Sequence, residues 1–336
     1  MDKCSSESIS PNAFGASGPE RAVPGFTLGY DSVFGRTPVA GCGRPARFGM
    51  NRIRWCALIV VAALAACATP TARYEERVRS YGFAALDLDG DGFRHRAYTA
   101  AGTPSGTLHV YIEHDGTPWI VSTLPSSDPT PRRPLALELM AQDPAPRLFL
   151  GRPCYFATDD AARCNVLVWT HQRYSPEVVR SMVAALRNHL AAHPYREIVL
   201  IGYSGGGTIA WLMAAAMPEV SGVVTIAANL DIDEWARIHD YSPLAGSRNP
   251  ATAPPLRATT RQTHFYGGRD TNVTPAVVAS FLRNHPEARA IEIADYDHEC
   301  CWVARWSALL PALAQREPSV AHAPPAATGG IRKPAN

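Results

Sequence analysis

The segment 197–215, EIVLIGYSGGGTIAWLMAA, constrains the fold of this chain more than any other. A mostly apolar, strand-like run ends in Gly202-Tyr203-Ser204-Gly205-Gly206, and an apolar pattern of helical spacing follows at once. A strand that turns this tightly into a helix projects the turn residue beyond the sheet edge. Glycines on either side let neighbouring backbone pass without a Cβ clash. Two chemistries use such a turn. One is anion binding, in which N–H groups at the helix start hold a phosphate; here the lysine of a phosphate-binding loop is missing. The other is nucleophilic catalysis, with Ser204 presented to substrate and the Gly205 N–H facing a developing oxyanion.

The rest of the chain alternates short apolar runs with helical patterns. LHVYIE (108–113), RLFLG (147–151), VSGVVTIAA (220–228), QTHFYGG (262–268) and RAIEIADY (289–296) read as strands. LALELMAQ (135–142) reads as a helix. A longer helix opens with Ser175 as N-cap, Pro176 at its first position and Glu177 in its first turn, and a last helix begins near Trp302. Continuous apolar strands between helices imply an α/β fold, a mostly parallel sheet covered on both faces. One domain is expected over 74–317. The Pro-rich insertion 231–261 within it is read as a small cap-like wall over the site, with a plain surface loop as the alternative. The Pro/Ala/Gly-rich tail 318–336 is expected to be disordered.

A serine needs a base, and the base needs an acid to orient it. Asp270 stands just past one strand, in GGRD, and His298 just past the next, in YDHECCW. The order Ser204, Asp270, His298, each at a strand end, resembles that of the α/β-hydrolase superfamily. The resemblance runs from the first strands to the last helix. It implies Ser204 as nucleophile, His298 as base and Asp270 as acid, with Gly205 supplying one oxyanion N–H. A second donor is expected from YIEHDGTPW, which is similar to the His-Gly loop after the third strand of many members. Here Asp115 separates His114 from Gly116, so the Asp115 N–H is the first choice and Gly116 the second, with a plain hairpin turn as the alternative.

Other residues compete for these roles. Asp231 or Asp233 could serve as the acid, whereas Asp295 and Asp297 are too close to His298 in sequence to orient its ring. His171, His189 and His193 are expected on loop or helix surfaces, His264 in the core, and His239 in the insertion. Trp302 and Trp306 are read as packing the last helix. The superfamily implies hydrolysis of carboxylic esters, from small molecules or lipids, without metal or organic cofactor. The alternatives are an acyltransferase or a peptidase/amidase using the same three residues, and a non-catalytic hydrolase-like lipoprotein.

A location is suggested by MNRIRWCALIVVAALAACATP (50–70). Arg52 and Arg54 precede an apolar run that is too short for the ~20 residues of a membrane span but has the length of a signal-peptide core. Its end, Leu64-Ala65-Ala66-Cys67, resembles the lipobox of bacterial lipoproteins. That resemblance implies a signal peptide over 50–66, lipidation of Cys67, a linker over 67–73 and a membrane anchor facing the periplasm. Ala68 after the cysteine favours the outer membrane over the inner one. Residues 1–49, rich in Gly, Pro, Ser and Ala, are explained by initiation at Met50 or by a disordered extension.

An exported compartment permits disulfides among Cys154, Cys164, Cys300 and Cys301. Cys154 with Cys164 is the simplest pair, which leaves the adjacent Cys300 and Cys301 free or bridged; cross-pairing is the alternative. The four lack the CxxC spacing of a zinc site. Asp87, Asp89, Asp91 and Gly92 match the opening of a calcium-binding loop, but Tyr98 stands where the closing glutamate belongs, and a D-G turn between early strands accounts for them. A net charge of +2 without a basic tract removes the electrostatic reason to expect a nucleic-acid partner.

Overall fold

The structure, a computed structural model, describes residues 69–158 and 163–311. The signal-peptide segment, Cys67 and the tail 318–336 fall outside the described residues.

The chain opens with helix α1 (Pro70–Ser80), which begins inside the expected linker and is capped by the Thr69 side chain. Strands β1 (Ala84–Asp89) and β2 (Arg94–Ala100) form an antiparallel hairpin. The D-G turn joins them: Gly92 adopts φ 82°, and Asp87 on β1 pairs with Arg96 at 3.0 Å. Strand β3 (Thr107–Ile112) leads into a small two-stranded ribbon, β4 (Trp119–Val121) and β5 (Leu124–Pro125). Helix α2 (Leu135–Ala141), strand β6 (Arg147–Leu150) and short helix α3 (Val166–Trp169) follow.

Helix α4 (Pro176–Ala192) starts as expected, with the Val178 N–H donating to the Ser175 hydroxyl at 3.3 Å. Strand β7 (Glu197–Tyr203) then runs into α5 (Gly205–Ala216). Strand β8 (Gly222–Ile226), helix α6 (Ile232–Ile238), β9 (Arg261–Gly267), α7 (Pro275–Asn284), β10 (Arg289–Ile293) and α8 (Trp302–Leu309) complete the described chain.

Eight strands form one sheet in the order β1-β2-β6-β3-β7-β8-β9-β10. The pairs β1/β2 and β2/β6 are antiparallel, and every pair from β6 to β10 is parallel. All five β8 residues are buried, and so is β7 apart from Glu197, as strands covered on both faces require. Helices α4 and α5 pack together, as do α2 and α8. Trp302 and Trp306 are fully buried, so they pack α8 onto the sheet; the Trp306 Nε1–H reaches the Tyr111 hydroxyl at 3.1 Å.

Parallel strands put their C-terminal ends on one edge, so the segments after β3, β7, β9 and β10 all emerge at the same rim. Part of the insertion 231–261 folds back onto the body. Its Ala251 N–H bonds to the Leu230 carbonyl at 3.0 Å and its Ala251 carbonyl accepts from Asn284 at 3.0 Å. Cys154 is joined to Cys164 and Cys300 to Cys301, so pairing stays within each set. No helix among the described residues is long and apolar enough to cross a membrane.

Candidate active site

Ser204, between β7 and α5, has φ 51° and ψ −124°, a backbone conformation that costs a non-glycine residue about 1–3 kcal/mol. Neighbouring hydrogen bonds hold it there. The Ser204 N–H donates to the Ile226 carbonyl of β8 at 2.9 Å, and the Ser204 carbonyl accepts from Gly207 at 2.9 Å. The glycines are needed for close approach: a Cβ on Gly206 would lie 2.2 Å from the Ile112 carbonyl, and one on Gly205 2.0 Å from Asp115 Oδ1. The start of α5 therefore sits directly against the end of β3 and its loop.

The structure brings Ser204, His298 and Asp270 into one hydrogen-bonded line. The Ser204 Oγ is 3.0 Å from His298 Nε2, and His298 Nδ1 is 2.8 Å from Asp270 Oδ2. Asp270 Oδ1 accepts the N–H groups of Asn272 and Val273, each at 2.8 Å, and its side chain is buried. An acceptor on the Nδ1 side assigns the proton to Nδ1, leaving the Nε2 lone pair for the serine hydroxyl. His298 is also held through its backbone, because its carbonyl accepts from the Tyr203 hydroxyl and Trp302 Nε1, both at 3.1 Å. No sequence signal marked Tyr203 for this.

The competing residues are engaged elsewhere. Asp231 caps α6 and accepts from Asn249 at 2.8 Å and Ser280 at 2.6 Å, while Asp233 accepts from Asn249 at 2.8 Å. Asp295 pairs with Arg269, and Asp297 accepts the N–H groups of Glu299 and Cys300. His264 is buried as expected; the His239 Nε2–H donates to the Asn272 carbonyl at 2.7 Å. His189, expected on a helix surface, is instead buried on the inner face of α4, where its ring stacks on His193.

In the loop after β3, the Gly116 N–H is spent on His114 Nδ1 at 3.0 Å, which removes the second-choice oxyanion donor. Asp115 is fixed at every side-chain oxygen. Arg152 meets Oδ1, and Arg173 at 2.9 Å and the Tyr174 hydroxyl at 2.6 Å meet Oδ2. The Asp115 carbonyl accepts from the Tyr155 hydroxyl at 2.8 Å. Burial pushes this carboxyl up, but the Arg173 and Arg152 guanidiniums outweigh it and hold it well below the ordinary carboxylate range. From its sequence Asp115 is expected to contribute its N–H; no local signal announces the side-chain cluster. Neighbouring Glu113 differs: burial pushes its carboxyl up, against the N–H groups of Ala136 and Leu137 at the start of α2.

Ser204 and His298 open into a cleft of about 610 Å³ whose walls include Asp115, Tyr203, Arg132 and Trp235. Trp235 is the contribution of α6, so the insertion forms part of a wall. At the mouth Arg133 pairs with Glu299, both exposed, a contact worth little in water. Among the described residues no group of three or more His, Cys, Asp and Glu is placed to hold a metal.

Residues 155–265 match a protein family described as alpha/beta hydrolase fold; this segment contains Ser204 and stops before Asp270 and His298. No curated protein sequence matches the chain. Among solved structures the chain is similar to an esterase of Pyrococcus furiosus, at 13% identity and TM-score 0.50, over 69% of this chain and 91% of that one. It is similar to an α/β serine hydrolase without lid from Xanthomonas campestris, at 14% identity and TM-score 0.45, over 70% and 97%. It is also similar to a puromycin-hydrolyzing peptidase of Mycobacterium tuberculosis, at 14% identity and TM-score 0.49, over 68% and 38%. The family match and the sheet establish the α/β-hydrolase fold.

Proposed function

We propose that this α/β-hydrolase-fold protein is a serine hydrolase that cleaves carboxylic esters through an acyl-enzyme intermediate. The observation that carries the reading is the line Ser204–His298–Asp270, with contacts of 3.0 and 2.8 Å at the foot of an open cleft. Ser204 Oγ attacks the ester carbonyl carbon as its proton passes to His298 Nε2. The carbonyl π electrons move to oxygen, and the oxyanion accepts from the backbone N–H groups of Gly205 and Asp115. Asp270 holds the imidazolium through Nδ1. Collapse of the tetrahedral species expels the alcohol, which takes the proton from Nε2. Water then attacks the acyl-serine by the same route and releases the acid.

The test is labelling by a fluorophosphonate, which phosphonylates an activated serine. Wild type should be labelled, and Ser204→Ala should not, with ester turnover falling about 10⁵-fold or more. If correctly folded wild type takes no label, the reading fails.

The lipobox-like Leu64–Cys67 supports a location at the bacterial envelope through a lipid anchor. Cys67→Ser should abolish incorporation of radiolabelled palmitate; unchanged incorporation would exclude Cys67 as the modified residue.

A further inference from the structure

Six large apolar side chains stand exposed among the described residues: Ile120, Val121, Leu124, Val166, Leu167 and Tyr241. Scattered exposures of this kind are ordinary, but these occupy three segments that touch one another. The β4–β5 ribbon, which carries the first three, meets the segment after α3 where the Trp119 ring lies 5.9 Å from His171. His171 in turn meets the loop bearing Tyr241, with Nδ1 3.3 Å from the Pro243 carbonyl and its own carbonyl accepting from Ser247 at 2.6 Å. Tyr241 packs against Trp235 at 5.0 Å, and Trp235 and Thr117, just before the ribbon, both line the catalytic cleft. One apolar rim therefore borders one side of the cleft mouth.

Two further observations bear on what covers it. The first turn of α1 is tied to the loop that follows the ribbon, because the Thr71 N–H and hydroxyl donate to Asp128 at 3.1 and 3.0 Å. Thr71 therefore stands beside the loop that follows the ribbon, four residues after Cys67 in the sequence. Arg132 also lines the cleft; it is exposed and has no acidic partner among the described residues, the arrangement that suits an anionic headgroup.

We infer that this rim docks on a phospholipid bilayer and turns the cleft mouth toward it, so that the ester substrate is a membrane lipid. The substrate part rests on the reading of Ser204 as nucleophile; the docking part does not. Apolar side chains entering the headgroup–acyl boundary hold the ribbon, and Arg132, lining the same cleft, meets phosphate.

The full chain is reconstituted into vesicles of phosphatidylcholine and phosphatidylglycerol whose acyl chains are brominated near the headgroup. Trp119 emission, taken as the difference between wild type and Trp119→Phe, should be quenched relative to unbrominated vesicles. Combined Ile120→Ser, Val121→Ser and Leu124→Ser should abolish that quenching. It should also lower hydrolysis of a long-chain ester carried in the vesicles about tenfold or more, while hydrolysis of a soluble butyrate ester stays unchanged and reports the fold. Absence of Trp119 quenching overturns the docking, as does equal quenching in the triple variant. Sedimentation as a dimer with Trp119 shielded from lipid would overturn it in favour of a second copy. If wild type hydrolyses neither ester while Trp119 is quenched, the nucleophile reading falls and the docking stands.

Discussion

Asp115 shows how much one residue can carry beyond what its position in a sequence suggests. Ser204, Asp270 and His298 were legible because each ends a strand and they occur in chain order; the loop after β3 was legible by its glycine and histidine. The partners of Asp115 come from 152–155 and 173–174, segments with no shared motif, so only the folded chain joins them. Tyr155→Phe removes one hydrogen bond to the Asp115 carbonyl while leaving the carboxylate cluster intact. Steady-state kinetics on a soluble ester should then show kcat lowered about tenfold, the scale of a misplaced oxyanion donor, with KM little changed. Asp115→Asn should be harsher, because it leaves Arg152 and Arg173 buried without their anion. Denaturant unfolding should register a loss of about 3–5 kcal/mol. Since the folded Asp115 carboxyl is held below its unfolded value, the stability it contributes is present above the ordinary carboxylate range and is lost as pH falls through the folded value.

Among the elements, β3 and β6 to β9 were readable as apolar runs, because a largely buried strand has little choice of residue, whereas edge strand β10, with no buried residue, showed only as the alternation RAIEI. The hairpin β1–β2 was visible mainly through its D-G turn, since ALDLD and RHRAY interleave charges with apolar residues at the sheet edge. Helix α1 was missed: in PTARYEERVRS only Tyr74 and Val78 are buried, too few for a convincing stripe. The central ladder also carries a titration. His264 on β9 lies opposite Thr225 on β8 and shares a 2.8 Å hydrogen bond with it. Burial, with His285 nearby, pushes the His264 imidazole down to about 3. A depressed histidine is neutral in the folded state, so the unfolded chain binds the extra proton. Stability is therefore full above about pH 6.5, the ordinary histidine value, and declines as pH falls from there toward 3. In His264→Gln, chemical denaturation between pH 7 and pH 4 should show a shallower decline than in wild type; parallel curves would assign the acid sensitivity to other groups.

At the scale of the whole molecule, the site depends on ties between distant segments. The Cys154–Cys164 bridge closes a segment next to Arg152 and Tyr155, both partners of Asp115. Replacing both cysteines with serine should cost about 2–3 kcal/mol by the entropy of a short loop, measured as a lower denaturation midpoint, and should also lower kcat as the Asp115 anchor loosens. The composition of the cleft was the least legible part, because its walls come from α6, the loop before α2 and the segment after β10, and no local pattern records that they meet. Chain order has a consequence in time. His298 follows Ser204 by 94 residues and belongs to the segment after the last strand of the sheet. A chain still being synthesised carries its serine turn long before the residue that would draw off the serine's proton exists. On the proposed mechanism a half-made chain would lack its base, and a stop codon between Ile293 and His298 would keep the residues of all eight strands of the sheet while removing that base.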